Sequence, residues 1–158
     1  MSDNQRSGRR LAGAVAGGLI AGLGITAMLM AGERKSGQPS ELADLERTGA
    51  KRVGLAPPAA QALPDGREQA IIQGGHLALS AVAGAVYAAS VDEDAPVLAS
   101  GIGFGLAFYA VAHWIVGPLL GLKQPEWRSD GKTIAMHTLN HVGFGLVTAL
   151  GARAASRI

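Results

Sequence analysis

Four long apolar stretches, broken by one extended polar segment and two short polar turns, organise this chain. The first runs from Leu11 to Gly32, about 22 residues without a charge, which at 1.5 Å per residue crosses a hydrocarbon core of roughly 30 Å. The second covers residues 69–90, the third 95–122 and the fourth 133–155, each long enough to span. The pattern predicts an all-α integral membrane protein, an antiparallel four-helix bundle with a polar linker between its first and second helices.

Residues 1–10 form a basic tail whose Arg6, Arg9 and Arg10 precede the first run. A basic start also suits a signal peptide, but the run is long and no small-x-small cleavage site precedes Glu33, so an uncleaved anchor is expected. Residues 33–68 are polar and carry Pro39, Pro57, Pro58 and Pro64. Within them Ser40 is placed to cap a short interfacial helix over 41–50, with Leu42 and Leu45 on its apolar side. The segment is too short to bury a core, so a solvated linker is expected rather than a ligand-binding domain. Asp92, Glu93 and Asp94 turn the chain between the second and third spans. Residues 123–132, with Pro125 and Trp127, turn it between the third and fourth.

Composition adds packing information. Glycine and alanine crowd the apolar runs, and aromatic residues make up only 4%, so helix backbones are free to approach closely in lipid. Gly13 and Gly17, Gly18 and Gly22, Gly101 and Gly105, and Gly145 and Ala149 form small-x-x-x-small pairs that open grooves for a neighbouring helix. Such faces on the first helix also permit a homo-oligomer or a membrane-protein partner.

Several chemistries are excluded. The chain has no cysteine, which removes disulfides, thiolate metal sites and cysteine nucleophiles. The net charge of +2 is spread over loops without a basic face or aromatic interleaving, so no nucleic-acid partner is expected. No phosphate-cradling loop and no Ser-His-Asp set has a plausible scaffold, so the protein is expected not to be an enzyme.

The strongest functional signal is histidine. All four, His76, His113, His137 and His141, fall inside apolar runs, where ionisable groups are costly and turn toward the protein interior. The end of the third span and the starts of the second and fourth share one membrane face. Depth counting therefore puts all four imidazoles in one layer, about 7–14 Å deep. His137 and His141 are four apart and stack on one helix face, with Asn140 beside them.

Three uses stay open. The imidazoles can pin helices together through hydrogen bonds, relay protons, or hold a haem or a divalent metal, with His137 and His141 as first ligands. Against the metal, no carboxylate is expected in that layer. No cofactor is required by the sequence. Tyr87, Tyr109, Trp114 and Trp127 are expected as interfacial or packing residues.

The stretch His76-x-x-x-Ser80 with Gly84 and Tyr87, the stretch Ala112-His113 with Pro118 and Gly121-Leu122, and Asn140-His141 with Gly145 resemble the YagU-like family of bacterial inner-membrane proteins. The resemblance covers most of the chain and matches His76, His113 and His141 more clearly than His137. It implies a multi-pass protein of the bacterial inner (cytoplasmic) membrane and a role in tolerance of acid or envelope stress. Small proton-conducting or transport activity, and a haem- or metal-binding subunit, stand as the alternatives. Lysines and arginines are more numerous on the histidine side, which by the positive-inside rule favours a cytoplasmic histidine layer.

Overall fold

The computed structural model describes residues 3–157. It is all-helical, with no strand among the described residues. Five helices follow in order: α1 Asp3–Ser36, α2 Glu41–Arg52, α3 Gly66–Ser90, α4 Val97–Leu119 and α5 Gly131–Ser156. A single 3₁₀ turn, Glu126–Arg128, interrupts the connection from α4 to α5.

Helix ends follow local chemistry. Asp65 and Asp130 cap α3 and α5 by accepting two backbone N–H bonds each, from Arg67 and Glu68 and from Lys132 and Thr133. The cap at Asp130 pulls its carboxyl below the ordinary value, the Thr133 hydroxyl bond first among the causes. Ser40 sits at the start of α2, yet its hydroxyl makes no cap bond and is buried without a partner among the described residues. Its backbone N–H instead donates to Glu33 Oε1 at 2.9 Å, tying α2 to the end of α1.

Three helices, α1, α3 and α4, are long and apolar enough to cross a membrane. They correspond to the first three of the four apolar spans expected from the sequence. With 26 residues α5 has the length, but His137, Thr138, Asn140, His141 and Thr148 make it more polar. Helix limits also move: α1 continues through Ser36, and α2 reaches Arg52 rather than residue 50.

The packing is a row rather than a ring of equal neighbours. α1 lies between α3 and α5, and α5 lies between α1 and α4. Glycines set these contacts. A methyl group at Gly17 would sit 2.6 Å from the Val147 carbonyl oxygen of α5, and one at Gly18 would sit 2.6 Å from the Ser80 carbonyl oxygen of α3. Gly101 and Gly105 of α4 meet Gly145, Leu146 and His141 of α5 in the same way. Consecutive helices α3 and α4 touch mainly where Tyr87 bonds Ser100 at 2.8 Å and packs edge-on to Phe104.

At one end, Arg10 of α1 donates to the carbonyls of Ala88 and Val91 at the close of α3, and Arg153 donates to the Glu93 carbonyl. At the other end lie α2, the linker and the α4–α5 connection. There Arg47 is buried, making two bonds to Glu68 at 2.7 and 3.0 Å and reaching the carbonyls of Ala59, Ala60 and Ala62. The Glu68 carboxylate raises the Arg47 pKa further, so this charge is fixed. One guanidinium thus fastens α2, the linker and α3 together.

Candidate metal centre

The polar end of the row is where side chains converge. Helix α4 changes register before it ends: Ala110–Val116 is a π-helical stretch. Pro118, two residues later, has no amide hydrogen and its ring presses on the carbonyl four residues back, at Trp114. The widened register absorbs that loss, and such π segments recur at functional sites. His113 lies within it and Tyr109 just before it, both turned toward α5.

Glu126 is the centre of the arrangement. It is 0% exposed, and the 3₁₀ turn folds it back against the helices. Its Oε1 accepts from the Tyr109 hydroxyl at 2.9 Å and from His137 Nδ1 at 2.6 Å. Its Oε2 accepts from the Lys123 ammonium at 2.9 Å. Burial opposes the charge, but the bonds from Lys123, His137 and Tyr109 outweigh it and hold the carboxyl at about 2.

A second carboxylate closes the group from α2. Glu41 accepts from Lys123 at 2.5 Å through Oε1 and from His137 Nε2 at 2.6 Å through Oε2. Burial again opposes ionisation, and His137 and Lys123 bring this carboxyl to about 2 as well. Lys123 loses stability through burial and regains more from its two carboxylates, so its pKa rises.

Proton positions follow from donor rules. An ammonium only donates, so His113 Nδ1, 2.7 Å from Lys123 Nζ, accepts, and the His113 proton sits on Nε2. The 3.4 Å approach of His113 Nδ1 to Glu126 is then a contact through the shared lysine. His137 has a carboxylate oxygen at each ring nitrogen and donates from both. Two carboxylates are balanced by one ammonium and one imidazolium.

The histidines divide. The rings of His113, His137 and His141 lie within 4.6–4.9 Å of one another in two of their pairings, and Tyr109 packs against all three. His141 spends its Nδ1 on the His137 carbonyl at 2.8 Å. The expected ligand pair His137 and His141 is therefore not the convergent one. Glu41, His113 and His137 are, each offering one ligand atom within 4.8 Å of the others.

His76 does not join them. It bonds Thr26 of α1 at 3.1 Å, in a ladder that continues through Gln73 and Gln69 to Glu33. His76 stays apart from the other three imidazoles because α3 packs on α1, which holds its ring away from α4 and α5. Asn140 is half-buried and forms no side-chain hydrogen bond among the described residues.

The expectation of a layer without carboxylates is corrected too. Both acids come from outside the apolar runs, Glu41 from the linker helix and Glu126 from the turn, and fold back onto the histidines. Lys123 was given no site role by sequence, and Tyr109, expected as an interfacial or packing residue, also donates to Glu126. One signal was available: Glu126 stands between Pro125 and Trp127, in a turn whose tryptophan packs on Trp114 at 6.0 Å.

No family model, curated protein or solved structure matches this chain.

Proposed function

We propose that this chain is a non-enzymatic, multi-pass protein of the bacterial inner membrane that binds a divalent transition metal at Glu41, His113 and His137. One observation carries the reading. His137 Nδ1 is held by the buried Glu126 carboxylate, which leaves Nε2 aimed at Glu41. Carboxylate-backed imidazoles of this kind are how proteins orient metal-ligating histidines, fixing ring angle and raising basicity.

Two imidazoles and a carboxylate suit zinc, which takes such sets at about 2.0–2.2 Å with an open fourth position. Tetrahedral bonds of about 2.1 Å place ligand atoms about 3.4 Å apart. Ligand atoms within 4.8 Å of one another close to that spacing by at most about 1.4 Å, the Glu41–His137 approach of 2.6 Å opens by about 0.8 Å, and Glu41, the most exposed member, is placed to move. The same exposure gives an ion its way in.

Zinc titrated into purified protein in detergent, with metal content measured after desalting, tests this. About one ion per chain is expected. H113Q and H137Q should lose it, and H76Q should keep it. Wild-type protein that retains no zinc, or an H76Q variant as deficient as H137Q, would sink the reading.

A second reading has its own support, since Glu41, Lys123, Glu126 and His137 already satisfy one another. The cluster is then a clasp that docks α2 and the turn onto the helices. Wild-type protein without zinc, together with an H137Q variant that unfolds more easily, would favour the clasp.

A further inference from the structure

Lys123 is the residue that the metal reading does not use, and its placement is unlike that of a surface lysine. Its ammonium is 12% exposed at the side chain and lies 2.5 Å from Glu41 Oε1, 2.9 Å from Glu126 Oε2 and 2.7 Å from His113 Nδ1. Two of those three partners, Glu41 and His113, belong to the convergent ligand set. A cation tethered to the chain therefore already occupies an oxygen of Glu41 and Nδ1 of His113, atoms of two of the three ligand residues.

We infer that Lys123 is a built-in competitor of the metal: its ammonium fills the cation position in the metal-free protein and swings out when a divalent ion enters. This rests on the metal reading above and adds the regulation of that site.

Three features make the exchange physically reasonable. The lone pair of His113 Nδ1 accepts from Lys123, so no metal reaches that nitrogen until the ammonium leaves. The lysine is on the connection between α4 and α5, two residues after Gly121 with its φ of +61°, outside either long helix. Its four-carbon stem carries a compact, strongly hydrated charge that gains solvation on leaving. Charge also balances: the His137 Nε2 proton leaves to solvent as the ion binds and the ammonium swings out, so the ion's two positive charges replace those of Lys123 and the His137 imidazolium against the same two carboxylates.

The consequence is a set point. Metal affinity is lowered by the work of removing the ammonium, so the site fills only when free metal is high enough to displace it. A carboxylate–imidazole set without the lysine would bind more tightly.

Lysine acylation with mass-spectrometric readout, on wild-type protein with and without zinc, tests the displacement directly. Labelling at Lys123 should rise several-fold on zinc saturation, with Lys35, Lys51 and Lys132 unchanged as internal references. In parallel, K123M should bind zinc at least about tenfold more tightly, a difference of roughly 1.4 kcal/mol, and K123R should bind more weakly. K123M folded only in the presence of zinc would equally support the exchange, because the metal then replaces the missing cation.

Zinc-bound wild-type protein whose Lys123 stays as protected as in the metal-free form overturns this inference and leaves the metal reading standing. So does a folded K123M with unchanged or weaker affinity. Wild-type protein that binds no zinc overturns both.

Discussion

Replacing Gly17 by alanine isolates what the close helix contacts contribute. The added methyl would lie 2.6 Å from the Val147 carbonyl oxygen, 3.0 Å from the Thr148 Cα and 3.3 Å from the Thr148 carbonyl oxygen. Each is a backbone atom, so no side chain can rotate away. Ordinary contact begins at 3.4 Å, and α1 and α5 must part locally by about 0.8 Å, the difference between 3.4 and 2.6 Å. Overpacking of that kind costs about 1–3 kcal/mol. Alanine's better helix propensity, up to about 1 kcal/mol, offsets part of it.

Gly24 is the control on the same helix, where a methyl meets nothing within 4 Å. Thermal unfolding of G17A and G24A in the same detergent should show a clear loss for G17A and none for G24A. Because α1 supplies no member of the Glu41–His113–His137 set, zinc binding by folded G17A should match wild type. If G17A unfolds together with G24A, the close approach of α1 to α5 is not as described.

Three other outcomes are expected. Arg47→Ala strands the Glu68 carboxylate in a buried place and frees the linker carbonyls, so stability should fall by about 3–5 kcal/mol and proteolysis within residues 53–63 should accelerate; an unchanged digestion rate would argue against the fastening role. Tyr109→Phe removes one donor from Glu126 and should cost about 1.5–3 kcal/mol, as for bonds to charged groups; wild-type unfolding behaviour would count against that bond. In metal-free protein, Glu41 and Glu126 titrate at about 2 against an ordinary 4.5, so their stabilisation is complete above 4.5 and is lost as pH falls through about 2. Both tryptophans, Trp114 and Trp127, pack beside this cluster, so acid titration by intrinsic fluorescence reads the loss, and E126Q should flatten it. A flat wild-type signal between pH 4.5 and 2 would refute the pairing.

The helical class and the rough position of each long helix were legible because a span leaves a continuous apolar run. Helix starts were less legible: Ser40, expected to cap α2, makes no cap bond, whereas Asp65 and Asp130, given no role from the sequence, serve the first amides of α3 and α5. The site was legible only in part. His113, His137 and His141 stood out because imidazole in an apolar run needs a partner, whereas Glu41 and Glu126 looked like ordinary solvated acids in polar segments. A local sequence window registers polarity but not the folding back of a turn.

What the sequence determined by itself is the set of helices: runs of apolar residues long enough to need lipid or each other, and glycine pairs that let backbones touch. Only the tertiary structure decided which helix meets which. By seating α3 against α1 and α4 against α5, it sent His76 to a ladder of glutamines and brought His113 and His137 to face acids from α2 and the turn. The physical reason is that apolar periodicity fixes what each helix must bury, while the partner is chosen by close backbone packing and by the pairing of buried charges distant in sequence.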